Sequence, residues 1–480
     1  LNTRANRLAD HLRDLGVSPG STVGLCLEPG AELIVAMLAV LNAGCAYVPL
    51  DSRYPADRLR FLIDDSQASV IVTREDVVAR TDALRDGYLN LIVLEDHDDE
   101  IAARDGAFVA SGLPVQMPAY LMYTSGTTDR PKGVIVPQRA ILRLAYRPTY
   151  LDVTPDDVFL QFAPTAFDAS TFEIWTALLN GASLVVPAGR DASLDQLGPL
   201  LVDARVTILW LTSGLFAAMV DHAPDALRRL RYLVCGGDVL SLPHVERARA
   251  LLEHGQVVNG YGPTETTTFA TAYPVRGAPA AGRTVPIGMP IQGTSVYVLD
   301  DALNPLPPGA AGDIYIAGLG VAHGYANRPD LTAAAFVPDP YGGEPGARMY
   351  RSGDVGYWAH DGALHYLGRR DRQVKLRGYR IEPAEIEAAL AACRGVQAAV
   401  VTVDATPQGD KQLVAYWTAS PGTGADVPDE AGLRAQLRAS LPDHLVPARF
   451  HAVPHIPLTA NGKVDRAALA RLAPAQEAAA

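Results

Sequence analysis

Residues Tyr123 to Gly133 read Y-T-S-G-T-T-D-R-P-K-G. An apolar run, Ala119 to Met122, precedes them and reads as the end of a buried strand. The stretch holds five hydroxyl residues (counting Tyr123), two glycines and one lysine, and Pro131 keeps it from continuing as a helix. Small residues let backbone N–H groups approach an anion closely, hydroxyls add donors, and Lys132 adds a point charge. A strand that feeds a hydroxyl–glycine run closing on P-K-G predicts a polyphosphate-binding loop rather than an ordinary polar surface loop. It is not a Walker loop, because no G-K-[ST] closes it and no helix start follows directly.

Outward from this stretch, short apolar runs alternate with helical patterns from Thr22 to about Pro290. The runs Val23–Leu27, Ser69–Thr73, Leu91–Leu94, Val158–Phe162, Ser183–Val186, Thr207–Leu211 and Tyr232–Cys235 read as strands. Ala31–Asn42, Ala56–Asp65, Thr171–Leu179 and Leu194–Val202 read as helices. This alternation predicts an α/β architecture with largely parallel sheets. From Ile291 to about Gly368 the helical patterns thin out, and Val296–Leu299 and Asp313–Ala317 read as strands around a Pro/Gly-rich turn. The last ~110 residues carry both element types. The predicted organisation is therefore an α/β core over residues 1–290, a small β-rich subdomain over 291–370, and a small, mobile α+β domain over 371–480. Gly368 to Gly378, dense in charge and bounded by glycines, reads as a solvated hairpin or as a hinge. Ala473–Ala480 reads as a linker stub.

Composition bounds the function. The chain has 480 residues, 48% apolar and 20% charged, the balance of a globular enzyme of roughly three domains or subdomains. A net charge of −12 argues against a nucleic-acid partner, which needs a basic face. Cys26, Cys45, Cys235 and Cys393 are scattered, mostly in apolar runs, which predicts reduced, buried thiols in a cytoplasmic protein. Leu33–Leu50, the longest apolar stretch, is broken by Asn42, Gly44 and Pro49, so it reads as a helix and a buried strand, not a membrane span. No signal peptide opens the chain, and Leu1–Leu12 already reads as the middle of an amphipathic helix, which predicts a start further upstream.

Four further stretches could carry chemistry. Phe167–Ser170 (F-D-A-S) precedes a helix; Ser170 and Glu173 form an S-x-x-E capping box that predicts a start at Thr171 and leaves Asp168 upstream. Asn259–Thr266 (N-G-Y-G-P-T-E-T) lies where a strand ends, with an aromatic able to stack on a base and Glu265 as a hard oxygen ligand suited to Mg²⁺. Tyr350–Asp354 (Y-R-S-G-D) offers a carboxylate able to take both ribose hydroxyls, and Asn461–Arg466 (N-G-K-V-D-R) places Lys463 at a turn. Alone, Asp168 reads first as turn chemistry, Asn259–Thr266 also reads as a glycine-rich turn, Asp354 is a weak signal, and a lysine placed like Lys463 is usually only solvated.

Their order along one chain, together with Leu41–Asp51, Gly312–Tyr325 and Leu441–Pro447, resembles the adenylation domains of nonribosomal peptide synthetases. These belong to the adenylate-forming family that includes acyl-CoA synthetases and luciferases. The resemblance covers nearly the whole chain and implies an amino-acid adenylating ligase. The carboxylate attacks the α-phosphate of ATP to give an aminoacyl adenylate and pyrophosphate; a carrier-protein phosphopantetheine thiol then takes the acyl group. It implies that Thr124, Ser125, Gly126, Thr127, Thr128 and Lys132 hold the β- and γ-phosphates. Asn259 and Tyr261 bind adenine, Thr264 touches the α-phosphate, Glu265 holds Mg²⁺ and Asp354 takes the ribose. Arg369 supports the nucleotide, Asp371 is the hinge, and Lys463 bridges the substrate carboxylate and α-phosphate. The chain departs from the family at Asp129, where glycine is usual and solvent-facing placement is expected, and at Gln138, where histidine is frequent.

The resemblance also implies a specificity pocket of Asp168, Ala169, Phe172, Trp210, Val234, Gly236, Gly260, Thr268, Phe269 and Lys463. Asp168 would pair with the α-ammonium, and the apolar remainder is similar to valine-activating domains. Implied partners are a downstream peptidyl carrier domain and, as in some relatives, a small MbtH-like activator protein; no carrier attachment motif follows Arg466. Two alternatives stay open: an acyl- or aryl-CoA ligase of the same fold, and a non-catalytic interaction module.

Overall fold

The computed structural model describes residues 1–108, 112–126, 130–187, 194–277, 284–371, 373–376, 378–405, 411–420, 428–457, 464–465 and 468–469. The chain divides into two compact units: Leu1–Ser52, Leu62–Thr124 and Lys132–Asp371 form the first, and Arg53–Phe61, Ser125–Pro131 and Arg372–Ala480 the second.

The first unit holds two seven-stranded sheets and one of five strands. One seven-stranded sheet runs Gly324–Tyr325, Lys132–Pro137, Pro118–Thr124, Ala46–Pro49, Thr22–Leu25, Ala68–Thr73, Leu91–Val93 from edge to edge. Its pairings from Pro118–Thr124 through to Leu91–Val93 are parallel. The other runs Met289–Pro290, Thr271–Pro274, Gln256–Tyr261, Tyr232–Gly236, Ile208–Thr212, Val158–Leu160, Ser183–Val185. It is parallel from Gln256–Tyr261 onward and antiparallel at its other edge. The third sheet is antiparallel: Thr294–Leu299, Gly312–Gly318, Arg348–Trp358 and Phe336–Pro338, with Leu364–Arg369 also on Arg348–Trp358.

Parallel strands buried on both faces read as continuous apolar runs, which is why Leu209, Leu211, Leu233 and Val257 are fully buried. The helix Ala31–Asn42 and strand Ala46–Pro49 occupy the long apolar stretch as expected. No described helix is long and apolar enough to cross a membrane. All four cysteines are buried thiols outside any disulfide, and burial pushes the Cys235 thiol well above its ordinary pKa.

Two local expectations are corrected, and one short helix lies in the β-rich stretch. The strand before the polyphosphate stretch continues to Thr124, and Lys132 opens a second strand, Lys132–Pro137, antiparallel to it. The stretch is thus the connection of a hairpin. The helix expected at Thr171 begins at Ala169. A helix, Pro329–Ala335, also falls within the β-rich stretch.

In the second unit, Val374–Leu376 and Tyr379–Ile381 form a hairpin, followed by the helix Pro383–Ala391. Strands Val396–Ala405, Lys411–Ala419 and Arg449–Ala452 form a sheet, accompanied by the helix Glu430–Arg438. Its core includes Ile386, Leu390, Trp417, Leu433 and Leu437. Within the Gly368–Gly378 stretch lies the first strand of this hairpin, Val374–Leu376.

Candidate functional site

The strand ends of the first unit bring most of the singled-out side chains together in three linked groups.

The first group surrounds Lys132. Thr124 and Lys132 are paired across the hairpin, and the buried Thr124 Oγ1 has no hydrogen-bond partner among the described residues. Lys132, 6% exposed, donates from Nζ to Tyr325 Oη at 3.0 Å and lies 3.4 Å from Glu265 Oε1. Tyr325 Oη in turn donates to Glu265 Oε1 at 2.6 Å, and Glu265 is fully buried. A buried ion pair contributes little net stability because desolvation offsets the attraction. A cationic amine, a hard carboxylate and an orphan hydroxyl are, however, what a phosphate–metal site uses. These residues therefore fit Mg²⁺ beside phosphates. Tyr325 was given no role of its own by the sequence, although it closes the quoted stretch Gly312–Tyr325. The expected result for Tyr325→Phe is a roughly 30-fold lower rate of nucleotide-dependent turnover, because two hydrogen bonds worth about 1 kcal/mol each are lost. Steady-state kinetics of the variant checks this.

The second group is the Asp354 cluster. The Tyr261 hydroxyl donates to Asp354 Oδ2 at 2.6 Å, and Arg369 Nη1 donates to Asp354 Oδ1 at 2.6 Å. Arg369 also donates to both oxygens of Asp371, each at 2.6 Å. Burial, then the Asp354 charge, holds the Tyr261 phenol pKa well above its ordinary value, so it remains a donor. Asn259, on the same strand as Tyr261, donates from Nδ2 to the Pro286 carbonyl at 2.8 Å.

The third group is a set of buried, mostly apolar side chains beside Asp168. Asp168 occupies the N-cap position of the helix Ala169–Leu179, yet its side chain makes no cap bond. Instead it accepts from Thr264 Oγ1 at 2.7 Å, and its backbone carbonyl accepts from Thr268 Oγ1 at 2.7 Å. The expected Ser170–Glu173 capping box is absent. Ser170 Oγ donates to the Phe167 carbonyl, and Glu173 accepts the N–H groups of Phe162 and Ala163. Those two amides follow the strand Val158–Leu160, and as backbone donors beyond the ladder they take the buried Glu173 carboxylate as their acceptor. Burial holds the Glu173 carboxyl well above the usual range.

Phe172, Trp210, Val234 and Phe269 are all buried, with the Phe172 and Phe269 rings 5.2 Å apart. Trp210 and Val234 are register partners on adjacent strands, as are Gly236 and Gly260. A side chain at Gly260 would meet the Phe269 ring at 2.6 Å, and one at Gly236 would collide with the Gly260 carbonyl, so both positions require glycine. Ala169 and Thr268 complete the buried set. The second and third groups meet the first through residues 261–269, which carry Tyr261, Thr264, Glu265, Thr268 and Phe269.

Ser125 and Gly126 group with the second unit. Thr127, Thr128, Asp129 and Lys463 lie outside the described residues. Gln138 opens the helix Gln138–Ala145.

The sequence matches the AMP-binding enzyme family over residues 1–326 and the AMP-binding enzyme C-terminal domain over residues 385–463. It is 40% identical over 98% of its length to tyrocidine synthase 3 of Brevibacillus parabrevis, and 41% identical over 98% to a dimodular nonribosomal peptide synthase of Bacillus subtilis (strain 168). The chain spans only 7% and 19% of those two proteins. Among solved structures it resembles holo-PA1221, an NRPS protein containing adenylation and PCP domains bound to a vinylsulfonamide inhibitor. The TM-score is 0.85 and the identity 35%, covering 98% of this chain and 78% of that one. The chain belongs to the AMP-binding enzyme family, as an adenylation domain of the nonribosomal peptide synthetase type, and is an adenylate-forming ligase.

Proposed function

We propose that this chain activates a small branched aliphatic amino acid, L-valine foremost, as its aminoacyl adenylate and passes it to a carrier-domain phosphopantetheine thiol in the cytoplasm. The observation that carries this reading is the 2.7 Å hydrogen bond from Thr264 to Asp168. It joins a buried carboxylate, suited to an ammonium, to the loop suited to an α-phosphate, and the buried side chains of Phe172, Trp210 and Phe269 are proposed to receive the substrate side chain. A substrate held by its ammonium at Asp168 has its carboxylate next to Thr264 and its side chain among apolar groups. No acid, base or amide among the proposed side-chain contacts meets a polar substituent.

In the proposed reaction a substrate carboxylate oxygen forms a bond to the α-phosphorus, the bond from that phosphorus to the bridging oxygen breaks, and pyrophosphate leaves. Asp354 takes the ribose hydroxyls and Tyr261 and Asn259 the adenine. Thr124 to Thr128 and Lys132 hold the β- and γ-phosphates, and Lys463 stabilises charge on the reacting oxygens. Glu265 would hold Mg²⁺, which supplies charge neutralisation at the phosphates. Residues 371–480 are proposed to form the mobile part, with Asp371 as its hinge. The carrier domain is proposed as partner because PA1221 contains adenylation and PCP domains; a small activator protein is a further proposed partner.

Specificity tests the pocket. One methylene in an apolar pocket is worth about 1–3 kcal/mol, so kcat/KM for isoleucine and 2-aminobutyrate should fall roughly 10–200-fold below valine. Aspartate or tyrosine as best substrate would overturn the pocket assignment.

A further inference from the structure

Arg143 has no place in the chemistry above, yet it is one of the more unusual side chains in the molecule. It lies on the helix Gln138–Ala145 and is 4% exposed. Among the described residues it forms no ion pair with a carboxylate. Its guanidinium donates instead to three backbone carbonyls: Nη1 to Phe269, and Nη2 to Thr266 and, at 3.1 Å, to Thr267. Burial lowers its pKa to about 10, which leaves it charged near neutral pH. Burying a cation against carbonyl dipoles alone is costly, so the fold tolerates a local penalty here.

The three carbonyls belong to one segment, and that segment is strained. Thr267 and Thr268 both sit in the left-handed region, with φ of 62° and 61°. A β-branched residue there is a genuine outlier, and it persists only where its surroundings over-determine it. In the chain, Thr264 and Glu265 precede the strained pair, and Phe269, packed on Phe172, follows it. The Thr267 hydroxyl is tied to the Gly320 carbonyl at 2.9 Å. Gly320 itself makes room for the clamp, since a side chain there would collide with the Arg143 guanidinium.

We propose that Arg143 is the positioning residue of the site: its three-carbonyl clamp fixes the strained Thr266–Phe269 backbone and thereby sets Thr264 and Glu265 against the proposed amino-acid pocket. A planar fork with several fixed donors can serve three carbonyls at once; an ammonium cannot hold that geometry. The catalytic part of this inference rests on the adenylation reading; the clamp itself does not.

The test compares the intact chain with Arg143→Lys, which keeps the charge and loses the fork, and with Gly320→Ala, which crowds the guanidinium from the opposite side. The first readout is amide hydrogen exchange. Peptides covering residues 264–270 should exchange at least about tenfold faster in both variants, with the strands Ile208–Thr212 and Tyr232–Gly236 unchanged. The second is kinetic. The amino-acid KM should rise and kcat fall, together lowering kcat/KM about 10–100-fold, and the ATP KM should rise with them, because Thr264 and Glu265 are proposed to stand at the phosphates. Native protection of 264–270 in Arg143→Lys, or wild-type amino-acid kinetics in that variant, would overturn the proposal. If Arg143→Lys does not fold, Gly320→Ala decides by the same two readouts. A wild-type chain that shows no amino-acid-dependent exchange of pyrophosphate sinks the adenylation reading, and hydrogen exchange then decides the clamp alone.

Discussion

Asp168→Ala is expected to remove amino-acid-dependent ATP–pyrophosphate exchange, lowering kcat/KM by roughly 10²–10³-fold or more, in line with the 3–5 kcal/mol cost of stripping one partner from a buried charge pair. The carboxylate is 8% exposed and the proposed pocket beside it is otherwise apolar, so an ammonium entering it would have no substitute partner there once Asp168 is gone. Thr264 would also lose its acceptor, adding disorder next to the proposed α-phosphate position. The substitution separates the two enzymatic readings. An acyl- or aryl-CoA ligase has no substrate ammonium to lose, and removal of an unneeded buried charge would leave its activity standing. Steady-state exchange kinetics of the variant, with circular dichroism to confirm folding, gives the answer.

The second large effect is expected at Asp354. This carboxylate is 1% exposed and is held by Tyr261 and Arg369, each at 2.6 Å. Truncating one member of a buried, hydrogen-bonded charge cluster costs about 2–5 kcal/mol, partly because the remaining groups are left unpaired. Asp354→Ala should therefore raise the ATP KM by roughly 30–5,000-fold. Because the ribose is bound equally before and during the reaction, kcat should change much less, which is the pattern of uniform binding. Arg369 retains Asp371 as a partner, so the fold should survive. A drop in kcat with an unchanged ATP KM would contradict the ribose assignment.

Much of the fold was legible because burial on both faces of a parallel sheet writes itself as short apolar runs. Tyr232–Cys235 became the strand Tyr232–Gly236, and Ala31–Asn42 became a helix with those same bounds. The strand Lys132–Pro137 was not legible, because it begins inside a motif whose residue types signal a loop, and its antiparallel pairing breaks the alternation. The capping box failed for a tertiary reason: Glu173, 1% exposed, serves two strand-end amides that no local pattern reveals. Within the site, single motifs such as Asn259–Thr266 were visible, but the links between them were not. Tyr325 reaches Lys132 across 193 residues and Glu265 across 60. Arg143 reaches Phe269 across 126. An arginine in an amphipathic helix reads as a solvated face, and only the fold shows what it holds.

The most direct measurement is ATP–pyrophosphate exchange with Mg²⁺, run with each of the twenty amino acids and with 3-methylbutanoate, which is valine without its amino group. The expected result is exchange that peaks at valine, with a shoulder at isoleucine, and none above background for 3-methylbutanoate. Exchange driven as well by 3-methylbutanoate as by any amino acid, or by none of these acids, would contradict amino-acid adenylation by this chain.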